Sequence, residues 1–255
     1  MLVITCFVLI PVFATVLLSF RPSGPRGGTV TFSNFVYVFT QTGVLTWLRN
    51  SLGVTLATAL VAVTVAAPAG YVLSRGRSRL VSSYGLLLFI VQSLPVVTAV
   101  IPLFILFARL GLVDNLLGLV IIYVGSTVSV AVWIMAGYFD SIPAGLEEAA
   151  WIDGCSIFGS FRRIVLRNSL PGVLSTAIFA FLVAWNDYLV VLVFVRSTGN
   201  YTLPVGLETF FQQNFADWGA VFAISVVMMV PPVLVFAFLH RYFSIGGIGG
   251  ALAGQ

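Results

Sequence analysis

Residues 50–73 carry no charged side chain, and neither do residues 84–108, 116–139 and 219–239. A run of about 20 mostly apolar residues crosses a bilayer as a helix, and within hydrocarbon every backbone amide must find its partner inside the protein. Residues 2–20, and residues 172–195 with Asp187 as their one acid, extend the series to six. The predicted fold class is therefore an all-α membrane protein of six transmembrane helices. A composition of 60% hydrophobic and 8% charged residues, with mean hydropathy +1.10, excludes an ordinary water-soluble domain. No internal repeat or domain boundary interrupts the pattern, so residues 1–255 read as one transmembrane domain.

The densest charge lies between the fourth and fifth runs, around Leu146-Glu147-Glu148-Ala149-Ala150-Trp151-Ile152-Asp153-Gly154. Ser141 and Pro143 are helix-start signals, Glu147 and Glu148 suit the positive end of a helix dipole, and Gly154 offers a left-handed stop. Ser156 can cap a second helix bearing Phe158, Phe161 and Ile164. The loop thus reads as helix, glycine bend, helix. Ile142, Leu146, Ala149 and Ala150 share one helical face while Trp151 and Ile152 point elsewhere. A short helix apolar on several sides requires burial on several sides, which implies a partner.

Glu148-Ala149-Ala150, Gly154, Ile164 and Leu166 stand at the spacing of the EAA loop, and the chain resembles permeases of ABC importers on that ground. Asp153 before the glycine, and Asp140-Ser141-Ile142-Pro143 upstream, resemble the carbohydrate (maltose-type) branch. Asn34-Phe35, Arg49-Asn50-Ser51-Leu52 and the stretch from Ile101-Pro102-Leu103 to Asn115 are similar to it as well. Two departures are Arg167, where the family usually has proline although Pro171 keeps the second one, and a glycine-rich tail ending in Gln255 without a lysine. The resemblance implies that residues 140–171 form a cytoplasmic coupling loop. Its docking residues would be Glu147, Glu148, Ala149, Ala150, Asp153, Gly154, Ile164 and Leu166. It also implies a second permease subunit, two ATP-binding cassette subunits and an extracytoplasmic solute-binding protein, in a bacterial plasma (inner) membrane.

All 12 basic residues are arginine. A Walker-type phosphate loop needs a lysine after its glycines, so this chain is expected to bind no cofactor of its own, and ATP and Mg belong to the partner ATPase. A net charge of +4 could suggest nucleic acid, but the arginines are scattered in short connections and form no stripe. Arg75, Arg77, Arg79, Arg162, Arg163, Arg167 and Arg241 fall on one side of the six runs. Arg21, Arg26, Arg49, Arg109 and Arg196 fall on the other. The positive-inside tendency then places both termini and the 140–171 loop in the cytoplasm. The start lacks the basic region and cleavage site of a signal peptide. Cys6 and Cys155 lie in unlike environments, and they form no metal-ligand cluster with the single histidine, His240.

Candidate pathway residues are Gln92 in the third run and Trp185-Asn186-Asp187-Tyr188 in the fifth. The latter resemble the tryptophan-asparagine-acid signature of sugar permeases. An acid inside a span costs about 3 kcal/mol, so Asp187 is expected to face the bundle interior or a wet cavity. These residues meet sugar hydroxyls and ring faces, tie helices together, or serve a cation or proton. Pro95 and Pro102 either shape the pathway or kink the packing. The rival to an ATP-driven sugar importer is a gradient-driven transporter or channel, a class that uses several intramembrane acids or histidines. A membrane enzyme would need a nucleophile-base pair or metal cluster, and the sequence offers neither.

Overall fold

The computed structural model describes residues 2–21, 30–94, 96–211 and 217–243. In chain order its helices are α1 (Leu2–Ser19), α2 (Ser33–Gln41), α3 (Val44–Arg75), α4 (Arg79–Ser93), α5 (Val96–Arg109), α6 (Leu116–Asp140) and α7 (Gly145–Ile152). Next come α8 (Ile157–Ser160), a π turn (Phe161–Val165), α9 (Leu166–Asn168), α10 (Leu170–Asn186), α11 (Leu189–Phe194), a 3-10 turn (Thr198–Asn200), α12 (Leu203–Glu208) and α13 (Trp218–Phe243). Among the described residues every regular element is helical, as hydrocarbon demands of a chain that does not close a barrel.

Three single helices are long and apolar enough to cross a membrane: Val44–Arg75, Leu116–Asp140 and Trp218–Leu239. Counting each of two bent pairs as one span gives up to five among the described residues. The third run is therefore two helices rather than one. Leu94 leaves the helix with ψ 120°, because a residue before proline is pushed out of the helical region. Pro95 itself lies outside the described residues, whereas Pro102 sits within α5. The fifth run is also interrupted. The Asp187 carboxylate accepts the Val190 amide at 3.0 Å, so the side chain competes for a backbone donor, ending one helix and starting the next. The side chain of His240 and the tail from residue 244 lie outside the described residues.

The chain divides into two compact units. The first comprises Met1–Gly53, Asp114–Leu116 and Asp187–Val235. Side-chain amides hold its irregular segments. Asn34 Nδ2 donates to the carbonyls of Ser19 at 2.8 Å and Arg21 at 2.7 Å. Asn50 Nδ2 reaches the carbonyls of Gly199 at 2.8 Å and Tyr201 at 3.0 Å. Trp47 Nε1 donates to Thr198 O at 3.0 Å, and Ser51 Oγ accepts the Leu203 amide at 2.8 Å. Asn50 and Ser51 thus supply hydrogen-bond partners to loop backbone, of which the Leu203 amide would otherwise be buried unsatisfied.

The second unit comprises Val54–Val113, Leu117–Asn186 and Phe236–Gln255. Its core gathers Ala66, Ala67, Leu88, Ala131, Val132, Met135, Phe139, Ile142, Phe161 and Val165. Alanines and Gly70 let α3 and α6 approach closely. A Cβ on Gly70 would lie 2.8 Å from Met135 Cβ and 3.0 Å from Val132 O. Small residues at such crossings are how membrane helices gain packing without a hydrophobic drive. Tyr71 and Phe139 meet Phe161 of the 140–171 loop, with ring centroids 4.8 Å apart and tilted for Tyr71 and Phe161, and 6.1 Å apart edge to face for Phe139 and Phe161.

Candidate coupling site

The loop folds as helix, bend, helix. It begins two residues later than the start signals suggest: α7 opens at Gly145 with no side-chain cap, and Ser141 Oγ instead donates to Tyr138 O at 2.6 Å. Gly154 has φ +84°, the left-handed conformation that ends α7. Ser156 Oγ accepts the Gly159 amide at 3.1 Å, capping α8 as its position predicts. A π turn follows, and its first and last residues, Phe161 and Val165, four apart and so on one face, are both buried. The axis of Ile157–Asn168 bends by 76° into Leu170–Asn186, so the turn is made although Arg167 replaces the usual proline.

The eight coupling candidates divide by environment. Glu148, Ala149, Asp153 and Gly154 are exposed, and Ala150 and Ile164 are half-buried. Leu166 packs against the unit's own core. Glu147 is 1% exposed and is the single fully buried residue of α7. It meets Arg75 and Tyr71 rather than open solvent. Its Oε1 accepts Arg75 Nε at 2.7 Å and its Oε2 accepts Tyr71 Oη at 2.6 Å. Arg75 also donates from Nη2 to Ile142 O at 3.0 Å and from Nη1 to Ser74 Oγ at 3.2 Å. Ser74 Oγ donates to Asp140 Oδ1 at 2.5 Å. Charge-assisted bonds of this kind are short and directional.

Sequence reasoning missed Tyr71, Ser74 and Arg75 as parts of this site, since Arg75 looked like one of several arginines at a span end. The signal was present: positions i, i+3 and i+4 at the end of α3 put all three on one helical face. Beyond the Arg75–Glu147 pair, the loop exposes several large apolar side chains. Ile152 is 86% exposed, Phe158 71% and Ile157 66%, with Leu146 and Trp151 also exposed. These side chains stand on a loop that also bears the exposed Glu148, Asp153, Arg162 and Arg163.

The four pathway candidates of the fifth run are each engaged separately. Trp185 is buried and stacks on Phe181 with centroids 5.5 Å apart. Asn186 Nδ2 turns back to Leu182 O at 2.9 Å, Asp187 caps α11, and Tyr188 Oη donates to Glu208 Oε2. Gln92 lines a cleft of about 400 Å³ with Leu103, Phe107, Ile122, Ser126 and Ser129. At the turn between α5 and α6, Asp114 accepts the amides of Arg196 at 3.1 Å and Ser197 at 3.0 Å, and the Ser197 hydroxyl at 2.5 Å. Those bonds, the Ser197 hydroxyl first, lower its carboxyl to about 2.

Residues 62–244 match the family model of the binding-protein-dependent transport system inner membrane component. The chain is 34% identical over 222 residues to a putative ABC transporter permease protein ORF1 of Streptomyces antibioticus, covering 87% of this chain and 97% of that protein. It is 32% identical to the arabinooligosaccharides transport system permease protein AraQ of Halalkalibacterium halodurans, covering 94% and 91% of the two chains. Identity is also 32% to the maltodextrin transport system permease protein MdxG of Bacillus subtilis, over 89% and 82%. Its fold matches a chain of a bacterial ABC transporter involved in import of the acidic polysaccharide alginate, with TM-score 0.81, 22% identity, and 94% and 92% of the chains covered. The chain belongs to the binding-protein-dependent transport system inner membrane component family, and is thereby a multi-pass permease subunit of an ABC importer whose ATP hydrolysis takes place on separate subunits.

Proposed function

We propose that this permease carries a sugar or sugar derivative, in six spans with both termini in the cytoplasm, and that residues 140–171 couple it to ATP hydrolysis. The observation that carries the coupling role is the apolar surface of Ile152, Ile157 and Phe158 on a helix, glycine, helix loop. Glu148, Ala149, Ala150, Asp153 and Gly154 lie on the same loop, and Ile164 and Leu166 follow on its second helical stretch, where Leu166 packs against the core. In the complete importer the chain pairs with a second permease, two ATP-binding cassette subunits that hold ATP and Mg, and an extracytoplasmic solute-binding protein. Nucleotide binding closes the ATPase pair and draws the two docking loops together, which favours the outward-open state by differential affinity. Sugar as the cargo rests on relatives named for arabinooligosaccharide and maltodextrin transport, and on neutral polar groups such as Gln92 and Asn186 within apolar runs.

Ile152→Glu places a charge in the covered surface. Capture of the ATPase by the tagged permease pair is expected to weaken at least roughly tenfold, as for a central apolar anchor. Unchanged capture and uptake would place docking elsewhere on the chain. Uptake of labelled maltodextrin and arabino-oligosaccharide by the reconstituted importer tests the cargo, and transport of neither class would remove the sugar assignment.

A further inference from the structure

The connection between α7 and α3 is polar. Of residues 145–152 only Glu147 is fully buried, so α7 is not held by an apolar face of its own. Trp151 Nε1 donates to Ser160 Oγ at 2.8 Å, which ties α7 to α8 within the loop, while its tie to α3 is a carboxylate whose two oxygens meet Arg75 and Tyr71. The Arg75 guanidinium uses all three nitrogens: one on Glu147, one on the Ile142 carbonyl ahead of α7, and one on Ser74, which binds Asp140 at the end of α6. An apolar contact could slide when α7 is pushed. A charge pair whose carboxylate is fully buried and whose guanidinium is half-buried, with four flanking hydrogen bonds, resists sliding, because displacement leaves the buried carboxylate unsatisfied.

We propose that Arg75 and Glu147 form the joint that transmits displacement of α7 to the inner end of α3, making Arg75 a positioning residue for coupling. The proposal rests on the reading of 140–171 as the docking loop. Within it, force from the ATPase reaches α3 through Arg75, in addition to α6 and α10, to which the loop is joined along the chain. The pair is an internal strut and not part of the docking surface, since Glu147 is closed off from solvent and the Arg75 side chain is 23% exposed. Glu148, one residue on, is exposed and free of this duty.

The test uses the reconstituted importer with Cys6 and Cys155 replaced by serine. Spin labels are placed by Val72→Cys on α3 and Gly145→Cys on α7, where a side chain meets open space. With the joint intact, the distance between labels stays narrow and unchanged between the nucleotide-free and ATP-vanadate-trapped states. In Glu147→Gln and in Arg75→Gln the distribution is expected to broaden roughly twofold on trapping, with loss of maltodextrin uptake although the ATPase still copurifies. The double variant, which leaves no unpaired buried charge, is expected to assemble as wild type yet still show the broad distribution. That separates transmission from stability. A narrow distribution and normal uptake in both single variants would overturn the joint. If Ile152→Glu also left ATPase capture intact, the docking reading would fail with it, whereas loss of capture in Ile152→Glu alone would leave that reading standing.

Discussion

At the scale of single residues, neighbours in sequence have opposite duties. Glu147 and Glu148 are adjacent and chemically equal, but about 100° of helix separates them, so one enters the ion pair with Arg75 while the other faces outward. Gly154 is a second case. Its Cβ position is open, so space does not forbid a side chain, but φ +84° does. Gly154→Val is expected to cost about 1–2 kcal/mol in that conformation and to shift the hinge between α7 and α8. The variant should insert in the membrane at normal levels yet lose most coupled transport. Transport at the wild-type rate would show that the left-handed turn is not used. Asp114, at φ 58°, accepts bonds that hold the segment from Arg196 to Asn200. Because its carboxyl lies at about 2 rather than 3.8, the stabilisation is complete above 3.8 and is lost as pH falls toward about 2. Pepsin cleavage around residues 196–201 should therefore rise across that window in the wild type. In Asp114→Asn it should already be high at its upper end.

At the scale of elements, polar side chains decide where helices stop. Asp187 ends α10 by giving the Val190 amide an acceptor outside the ladder, and Ser156 starts α8 in the same manner. Both positions were legible as polar residues beside apolar runs. The cap at Ser156 could be read because serine before a helical pattern has one common use. The break at Asp187 could not, because an acid in a span has several outlets: a ligand, a neighbouring helix or its own backbone. The π turn at Phe161–Val165 was equally hidden, since residues four apart share a face in an α-helix too and the pattern does not separate the two.

At the scale of the whole molecule, the long apolar helices and the family assignment make this a transport subunit driven from outside its own sequence. Uptake by cells carrying the complete importer is expected to collapse when ATP is depleted with the proton gradient maintained. It should persist when an uncoupler removes the gradient while ATP is held constant. The reverse pattern would mean that an ion gradient supplies the work.

The sequence by itself determined the solvent this chain folds in and the class of machine it joins. Uncharged runs of bilayer length admit helices alone here, and the spacing of Glu148-Ala149-Ala150, Gly154, Ile164 and Leu166 is a local pattern that survives without coordinates. Caps and the glycine bend were legible for the same reason, as they involve residues three or four apart. Only the tertiary structure decided which glutamate is buried and which arginine it meets. Arg75 and Glu147 are brought within 2.7 Å by the packing of α3 against α6 and the π turn, through alanines, Gly70 and the Tyr71, Phe139 and Phe161 rings. A contact between residues so far apart in sequence depends on helix crossings, and one-dimensional periodicity carries the face of a helix but not the identity of what that face meets.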